Sequence, residues 1–477
     1  MNSVTDQPPY HVFGYRSRNL LYSPVSRSVL QLDDAAFELL SRHEQNSAAL
    51  PIGRQSADIV DRVRRELRFL QGMQFIDRLE ENSAGKVRQE ARLVGRYARW
   101  PSKGAELFMG EACNLRCVYC YASHNGALQG SLMSREVARQ AITFALQRNG
   151  SLRRLRLTFF GGEPFLNLPV MQFVIGSARE QARRLGKRVS FAVVTNATLL
   201  DDDSVELLRR AGVETTVSFD GPPEIQDYNR PYGNGQGSYS ATLRGACKLR
   251  EAGVPLTIRS TVTPHYLAKT KVVDFFHEQG FGSVHLTCSE GRTEARSAFD
   301  VGPEHWGALH HEDDVLADRV LDAATAGTEL SYNPFQDGLL RLVRGPLQAL
   351  PCGVTRAVTT VGVDGRLYPC HRYVGMDAFI VGDVWNGVDK SRQMEFLRGY
   401  FEVRRKCQSC WARALCNLGC PWYYSRLDGG FKAVDQWRCQ EAMRAAERII
   451  WLYAKLADEA PHYLANVTGR KIVGAVV

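Results

Sequence analysis

Two kinds of hydrophobic pattern alternate through the middle of this chain. Between residue 101 and about residue 345, short stretches rich in apolar and β-branched side chains predict strands, and segments with apolar residues at helical spacing follow them. The predicted strands are 107–109, 155–160, 189–195, 215–219, 256–262 and 283–287, and the predicted helices are 135–148, 171–185, 204–211, 239–252 and 272–279. Strands that alternate with helices favour a parallel sheet with crossover helices. Six such units fit a partial (β/α)6 barrel of the α/β class.

The N-terminal part of the chain has a different pattern. Short strands are predicted at 11–13, 20–22 and 29–32. Asp33 or Asp34 is expected to cap a helix through residue 40, and segment 56–70 repeats apolar residues at helical spacing. We therefore expect a small separate module at residues 1–90, which a charged segment at 88–99 joins to the rest.

Charge and composition exclude several classes of function. The net charge of +9 comes from 60 Lys and Arg against 51 Asp and Glu, and the basic residues are scattered. The sequence has no basic stripe interleaved with aromatic residues, so it does not indicate nucleic-acid binding. No apolar run approaches the roughly 20 residues that span a bilayer, and the N-terminus lacks a secretory signal pattern. We therefore expect a cytoplasmic protein without membrane or nucleic-acid partners, in which the 12 cysteines are not paired in disulfides.

The cysteines form two groups. The first is Cys113-x3-Cys117-x2-Cys120, and thiolates at this density bind soft metals. A cubic iron–sulfur cluster has four iron atoms, so three thiolates leave one iron open for chemistry. A structural zinc site is the alternative, with His124 as a fourth ligand. The second group consists of Cys352, Cys370, Cys407, Cys410, Cys416, Cys420 and Cys439.

Glycine and polar motifs follow the predicted strands. Gly161-Gly162-Glu163-Pro164 follows strand 155–160, Asn196 follows strand 189–195, and Ser218-Phe219-Asp220-Gly221 ends strand 215–219. In barrels built from parallel strands, active sites lie at the C-terminal ends of the strands. The motifs therefore predict a single site at that end of the barrel.

Taken in order along the chain, these motifs resemble those of radical S-adenosylmethionine (SAM) enzymes with a C-terminal SPASM domain. Cys113, Cys117 and Cys120 match the family's C-x3-C-x2-C, and Tyr119 matches the aromatic residue before the last cysteine. The resemblance implies that SAM chelates the open iron through its amino and carboxyl groups. Electron transfer then releases a 5′-deoxyadenosyl radical, and the protein positions the cofactor and excludes side reactions.

The resemblance also implies contacts to SAM. Glu163 is expected to pair with the ammonium group, Asn196 or Ser218 with the ribose, and the glycines to let the backbone approach closely. Arg230 and Arg259 fit positions that hold charged groups of the cofactor or the substrate. The implied cofactor contacts are Tyr119, Gly161, Gly162, Glu163, Pro164, Asn196, Ser218, Arg230 and Arg259.

The second cysteine group is similar to the SPASM pattern, which implies two auxiliary clusters and three [4Fe-4S] clusters in all. The implied ligands are Cys407, Cys410, Cys416 and Cys439 for the distal cluster, and Cys352, Cys370 and Cys420 for the proximal cluster. The proximal set has three ligands, so one iron is open unless Cys247 or Cys288 closes it. The resulting domain boundaries are 1–90 for a winged-helix-like peptide-recognition module, 91–345 for the radical SAM core, 346–445 for the SPASM domain and 446–477 for a C-terminal helical tail.

The SPASM extension implies a peptide or small-protein substrate with an N-terminal leader, and an electron donor such as flavodoxin or ferredoxin. The run from Pro369 to Gly375, PCHRYVG, resembles thioether-forming maturases. Within that group, the length, the N-terminal module and the Arg-rich composition are most similar to the family that matures quinohemoprotein amine dehydrogenase by Cys-to-Asp/Glu crosslinks. Sulfatase-maturase-like oxidation, carbon–carbon crosslinking and a non-catalytic zinc scaffold are the alternatives. Sulfatase maturases carry an aspartate base where this chain has His371. The unranked candidate bases here are Asp220, Glu290, His371 and Glu402.

Overall fold

The computed structural model describes residues 10–46 and 101–469, apart from 25–26, 125, 292–296, 331, 345–351, 356–358, 405–406, 408–409 and 417–418. The predicted helix at 56–70, the charged segment at 88–99 and the boundary at residue 90 lie outside the described residues.

A sheet of eight strands forms the centre of the molecule. Its parallel strands are β4 (Gly104–Phe108), β5 (Arg154–Phe160), β6 (Arg188–Thr195), β7 (Val213–Ser218), β8 (Leu256–Val262) and β9 (Val284–Cys288). They lie side by side in chain order, and each pairs in parallel with the next. The predicted α/β class with a partial (β/α)6 barrel is confirmed. A short hairpin, β10 (Thr360–Val361) and β11 (Leu367–Tyr368), extends the sheet because β10 pairs in parallel with β4.

The two faces of these strands differ because side chains alternate along a strand. One face is apolar and fully buried against the helices, as at Leu157, Val217 and Ile258. The opposite, inner face carries mostly polar side chains, many of which are half-buried or exposed. We call the space inside this face the lumen. Strand register places Glu106, Thr158, Glu214, Thr216, Ser218, Arg259, Thr261 and His285 on it.

In chain order, the helices are α1 (Asp34–Asn46), α2 (Tyr121–His124), α3 (Arg135–Asn149), α4 (Leu168–Arg184), α5 (Asp202–Ala211), α6 (Pro223–Asn229), α7 (Tyr239–Glu251), α8 (Lys269–Glu278), α9 (Trp306–Thr325), α10 (Asn333–Arg344), α11 (Lys390–Val403), α12 (Pro421–Tyr424), α13 (Gln436–Glu459) and α14 (Pro461–Thr468). Helices α3, α4, α5, α8 and α10 pack against the outer face of the sheet. Helix α5 begins with a capping box, in which the Asp201 carboxylate accepts the Ser204 N–H and the Ser204 side chain contacts the Asp201 backbone. Helices α9 and α10 lie outside the predicted alternation.

The N-terminal module does not stand apart from the barrel in its described part. Strands β1 (His11–Tyr15), β2 (Arg18–Tyr22) and β3 (Val29–Gln31) form an antiparallel sheet, and Asp33 caps α1 by accepting the Ala36 N–H at 2.8 Å. One face of this sheet belongs to the main hydrophobic core, and the other packs on α1. Strand residues such as Phe13 and Leu20 pack in a core shared with the barrel, and the module at 1–90 stays a prediction.

Helix α13 contacts the N-terminal sheet, helix α9 after the barrel and the C-terminal segment that contains Trp411. Its Arg448 is 1% exposed and pairs with Asp314 of α9 at 2.6 Å. His11 of β1 contacts Glu447 of α13 at 3.1 Å and stacks on Trp411 with ring centroids 3.6 Å apart. The predicted boundary at 445/446 falls inside this helix. No helix among the described residues is long and apolar enough to cross a membrane.

Candidate active site

The loop after β4 carries the first cysteine group, and the glycine motif holds it. Gly162 and Glu163 donate backbone N–H bonds to the carbonyls of Gly110 and Ala112, each at 2.9 Å. A Cβ at Gly162 would lie 2.1 Å from the Ala112 oxygen and 3.1 Å from the Cβ of Cys113. The space at this glycine is therefore taken by the cysteine loop itself, a role that the sequence analysis did not assign to it.

Glu163 and Asn196 connect three neighbouring loops. The Glu163 carboxylate accepts hydrogen bonds from Thr195 Oγ1 and from the Asn196 N–H, both at 2.8 Å. Burial raises the pKa of Glu163 to about 7, against the lowering effect of these bonds. The Asn196 amide donates to Asn114 Oδ1 at 2.9 Å, one residue after Cys113. The ends of β5 and β6 thus fix the start of the cysteine loop.

Asp220 organises the other side of this loop. It is fully buried and accepts bonds from Tyr119 Oη at 2.6 Å, Asn229 Nδ2 at 3.1 Å and the Thr261 N–H at 2.8 Å. Arg230 Nε lies 3.1 Å from the same carboxylate. These contacts hold the Asp220 side chain in place at the end of its strand. Its role as a candidate base stays a prediction.

Arg230 connects this buried acid to the cysteines. Its Nη1 lies 3.8 Å from Cys117 Sγ, and its guanidinium lies 5.3 Å from the centre of the Tyr119 ring. Burial raises the pKa of Cys117 to about 12, and the nearby Arg230 charge acts in the opposite direction. A cation at this distance favours a thiolate, which is the form that binds metal.

Inside the lumen, Glu106 and His371 form a pair that joins the barrel to the C-terminal part. His371 Nδ1 lies 2.9 Å from Glu106 Oε2, and Thr360 Oγ1 donates to the same oxygen at 2.7 Å. The His371 ring stacks on Phe160 with centroids 4.2 Å apart. Burial raises the pKa of Glu106, but His371 and the hydrogen bonds outweigh it and leave this pKa below its ordinary value.

Glu106 is a functional candidate that the sequence analysis missed. The sequence did contain a signal for it. Glu106 is a charged residue directly before the apolar strand predicted at 107–109, and it lies two positions before Phe108. Alternation along the strand places such a residue on the lumen side.

The proximal cysteines meet beside this pair. Burial raises the pKa of the Cys370 thiol well above its ordinary value, and Cys420, Cys352 and Glu106 are close enough to raise it further. Arg372 lies beside Cys370 and Cys420, with its guanidinium 5.4 Å from the Tyr121 ring centre. The structure thus places the three predicted proximal ligands together at the lumen.

The distal cysteines lie together near α12 and α13. Burial and the neighbouring Cys439 raise the pKa of Cys410. Both Cys416 and Cys439 lie close to Tyr424. Cys407 stands one turn before Cys410, whose N–H donates to the Cys407 carbonyl at 3.3 Å.

The two remaining cysteines stand elsewhere. Cys247 lies on the outer helix α7, where its sulfur accepts from Arg250 at 3.8 Å. The charged neighbours of Cys288 are Lys269, Glu290 and Asp313, and no proximal cysteine is among them. Neither thiol is placed to complete the proximal set.

The other two candidate bases besides Asp220 and His371 are Glu290 and Glu402. Glu290 forms an ion pair with Arg438, and burial raises its pKa despite that cation. Glu402 is exposed near the end of α11, two residues beyond the buried Tyr400 and hence on the opposite side of the helix. Glu402 therefore lies at the surface, and its role as a candidate base stays a prediction.

The chemistry of the donor groups fits iron–sulfur clusters. The thiols form three groups, which are the radical loop, the proximal set and the distal set, and thiolates are the ligands that hold such clusters. Arg230 lies 3.8 Å from Cys117 Sγ, where its charge favours the thiolate form.

Comparison with known proteins identifies the central region. Residues 107–274 match the Radical SAM superfamily. The chain therefore contains a radical SAM domain, which uses a [4Fe-4S] cluster and SAM, and the predicted resemblance is confirmed at this level. The assignment to the quinohemoprotein amine dehydrogenase family stays a prediction.

Several relatives cover most of the chain. An uncharacterized protein from Archaeoglobus fulgidus is 29% identical over 329 residues, which is 65% of this chain and 72% of that protein. The serine-type anaerobic sulfatase-maturating enzyme of Klebsiella pneumoniae is 25% identical over 349 residues, which is 68% of this chain and 84% of that enzyme. A solved structure of native anSMEcpe with bound AdoMet and Cp18Cys peptide has a TM-score of 0.62 at 22% identity, over 77% of this chain and 99% of that chain. This structural likeness establishes a shared fold.

Proposed function

We propose that this chain is a radical SAM maturase that joins a cysteine sulfur of a peptide or small protein to a carbon of an acidic residue. The observation that carries the proposal is the set of three proximal cysteines, Cys352, Cys370 and Cys420, beside the Glu106–His371 pair at the lumen. A site with three protein thiols leaves room for a substrate sulfur, and the adjacent histidine is placed to accept its proton.

A [4Fe-4S] cluster and SAM would together supply the radical that takes a hydrogen atom from the substrate carbon. Cys113, Cys117 and Cys120 would hold the cluster. Arg230 and Tyr119 fix the far side of the cysteine loop through their contacts with Asp220. The lumen provides a water-accessible but enclosed space in which a peptide carbon and a peptide sulfur are held together.

His371 is the proton acceptor in this proposal. Glu106 is held ionised, so its oxygen accepts a hydrogen bond from His371 Nδ1–H and fixes that tautomer. Nε2 is then the unprotonated nitrogen, and it takes the proton of the thiol. Formation of the carbon–sulfur bond also releases one electron, and a [4Fe-4S] cluster, which Cys352, Cys370 and Cys420 would hold, would supply a one-electron acceptor.

Oxidation of a serine or cysteine side chain is the second candidate. The similarity to the Klebsiella pneumoniae sulfatase-maturating enzyme favours it. His371 occupies the position where such enzymes are expected to have an aspartate base, and Glu106 holds the histidine ring in place. The two candidates therefore share a proton acceptor and differ in the bond that is formed.

Mass spectrometry of the product separates them. The probe is a Cys-rich small protein encoded beside the gene, incubated anaerobically with the reconstituted enzyme, SAM and a reductant. A thioether removes two hydrogen atoms and one alkylatable thiol per crosslink. Oxidation of serine leaves every thiol free and produces a carbonyl that reacts with hydrazides. A carbonyl product with all thiols intact would overturn the thioether proposal.

The cysteine variants test the site itself. Replacing Cys113, Cys117 and Cys120 with alanine should remove about four irons per chain and all cleavage of SAM. Replacing Cys370 with alanine should stop crosslinking while 5′-deoxyadenosine still forms. Colourless protein with stoichiometric zinc would refute the proposal, as would cleavage of SAM by the triple variant.

A further inference from the structure

Arg259 is a lumen cation without an acidic partner. It lies on the inner face of β8, in register with Ser218 of β7 and His285 of β9. Its side chain is exposed to the lumen, and no carboxylate of the described residues lies within ion-pair distance of it. A guanidinium group on the inside of a barrel usually has an anionic partner.

Other arginines of the barrel and its rim have acidic partners. Arg230 pairs with Asp220 at 3.1 Å, and Arg156 pairs with Glu214 at 2.8 Å. Arg438 pairs with Glu290 and also donates to the Gly291 carbonyl at 3.3 Å. The acids that pair with these three arginines are therefore engaged by cations other than Arg259.

The charge that acts most strongly on Arg259 is another cation. Burial in the barrel wall lowers the pKa of Arg259. The charge of Arg372 lowers this pKa further, and the charge of Arg230 has a smaller effect in the same direction. Tyr121 and Tyr423 lie near both Arg259 and Arg372. Two guanidinium groups that face a common space repel each other unless an anion lies between them.

The position of this space fits a substrate. Tyr121 follows Cys120 of the radical loop, and Tyr423 lies three residues after Cys420 of the proximal set. A group bound at Arg259 would thus lie between the two sets of cysteines, where the carbon and the sulfur have to meet.

We propose that Arg259, with Arg372 behind it, binds a carboxylate in the lumen, and that this carboxylate is the side chain of an Asp or Glu of the substrate peptide. The inference rests on the proposed function and adds the residue that recognises the acidic side chain of the substrate. A planar guanidinium suits this task because it offers two parallel N–H donors to a carboxylate.

The carboxylate of SAM is the other source of the same chemistry. Arg230 lies on the Cys117 side of the lumen, at 3.8 Å from that sulfur, whereas Arg259 faces Arg372 on the proximal side. The position of Arg259 therefore favours the substrate.

Binding measurements test the assignment without the reaction. The probes are acetyl-Gly-Cys-Gly-Asp-Gly-amide and its Asn counterpart, titrated calorimetrically and anaerobically into the reconstituted holoenzyme with SAM present. SAM itself is titrated separately. The variants are Arg259→Gln and Arg259→Lys, and the matched control is Arg156→Gln, which lies on the same inner face but pairs with Glu214.

We expect the wild type and the control to bind the Asp peptide about tenfold more tightly than the Asn peptide, because a hydrogen bond to a charged group contributes about 1.5 kcal/mol or more. Arg259→Gln should remove this preference and leave the affinities for SAM and for the Asn peptide unchanged. Arg259→Lys should keep part of the preference, which shows that a folded lumen with a cation is sufficient.

Three results would overturn the proposal: no preference in the wild type, an equal loss for both peptides, or a loss of SAM affinity in Arg259→Gln with the peptide preference retained. The last result assigns the carboxylate to SAM. If the product is not a thioether but the preference depends on Arg259, the anion site stands and only the reaction class falls.

Discussion

The two faces of the central sheet use the same strands for different purposes. On the outer face, Leu157 and Phe159 of β5 are 0% exposed and pack in the main core. On the inner face, Thr158 of the same strand is half-buried, and Arg259 of β8 is exposed to the lumen. Parallel sheets covered on both sides usually have continuous apolar strands. The alternation here shows that one side encloses a polar space, and the proposed chemistry lies on that side.

The two faces also obey different energetic rules. An outer position gains free energy from burial and close packing, so its loss leaves a cavity. An inner position that keeps solvent contact adds little stability, whereas a buried inner acid has to be fully hydrogen-bonded. Glu163 and Asp220 meet this condition with partners from neighbouring strand ends.

The largest expected effect separates the faces by stability. Phe159→Ala removes an aromatic ring that stacks on Phe191 at 6.0 Å, and should cost about 3–5 kcal/mol of unfolding free energy. Thr158→Ala, one residue away on the inner face, should change it by about 0.5 kcal/mol or less. Anaerobic denaturant unfolding measures both. Similar losses for the two variants would contradict the assignment of the faces.

The second effect separates two acids of the inner face by activity. Glu106→Gln removes the partner that fixes His371, and should slow product formation about 100-fold, since positioned bases contribute about 10²–10⁴. Glu214→Gln is the control, because its partner is Arg156 and it lies far along the lumen near the start of β7. Product formation and SAM cleavage are measured in parallel.

SAM cleavage should be unchanged in both glutamate variants. A 100-fold loss of SAM cleavage in Glu106→Gln would show that Glu106 supports the radical site rather than the proton transfer.

The smallest effect concerns the N-terminal sheet, which completes the core of the outer face. Burial lowers the pKa of His11, but hydrogen bonds to Glu44 and Glu447 outweigh it and raise this pKa above its ordinary 6.5. A raised folded-state pKa means that protonation stabilises docking. The contribution is fully present below pH ~6.5 and is lost as pH rises through the folded pKa.

Hydrogen exchange of the β1–β2 amides between pH ~6 and ~8, corrected for intrinsic rates, measures this docking. Protection should fall as pH rises in the wild type and stay flat in His11→Gln. A pH-independent protection in the wild type would remove His11 from the explanation.

Local patterns gave much of the fold. Strand 256–262 is found as Leu256–Val262, and the other five barrel strands lie within three residues of their predicted ends. The core that the N-terminal sheet shares with the barrel was not predicted, because the amphipathic pattern of β1 and β2 shows which residues are buried but not against which partner. Helices α9 and α10 follow the barrel, and the alternation used for the earlier elements ends before them.

The site divides in the same way. Spacing along one loop was enough to group Cys113, Cys117 and Cys120. Spacing could not rank the candidate bases, because the contacts that hold the Asp220 carboxylate are seen only in the structure. Glu106 was missed because its partner His371 is 265 residues away.

The sequence by itself determined the alternating strands, the barrel class and the thiol-rich loops, because these depend on periodicity and on short-range spacing. The tertiary structure alone decided which inward side chains meet in the lumen. Strand register places Arg259 beside Ser218 and His285, and the β10–β4 pairing brings His371 to Glu106. Such contacts depend on how distant segments pack, and their energies are spread over many residues that no local pattern contains.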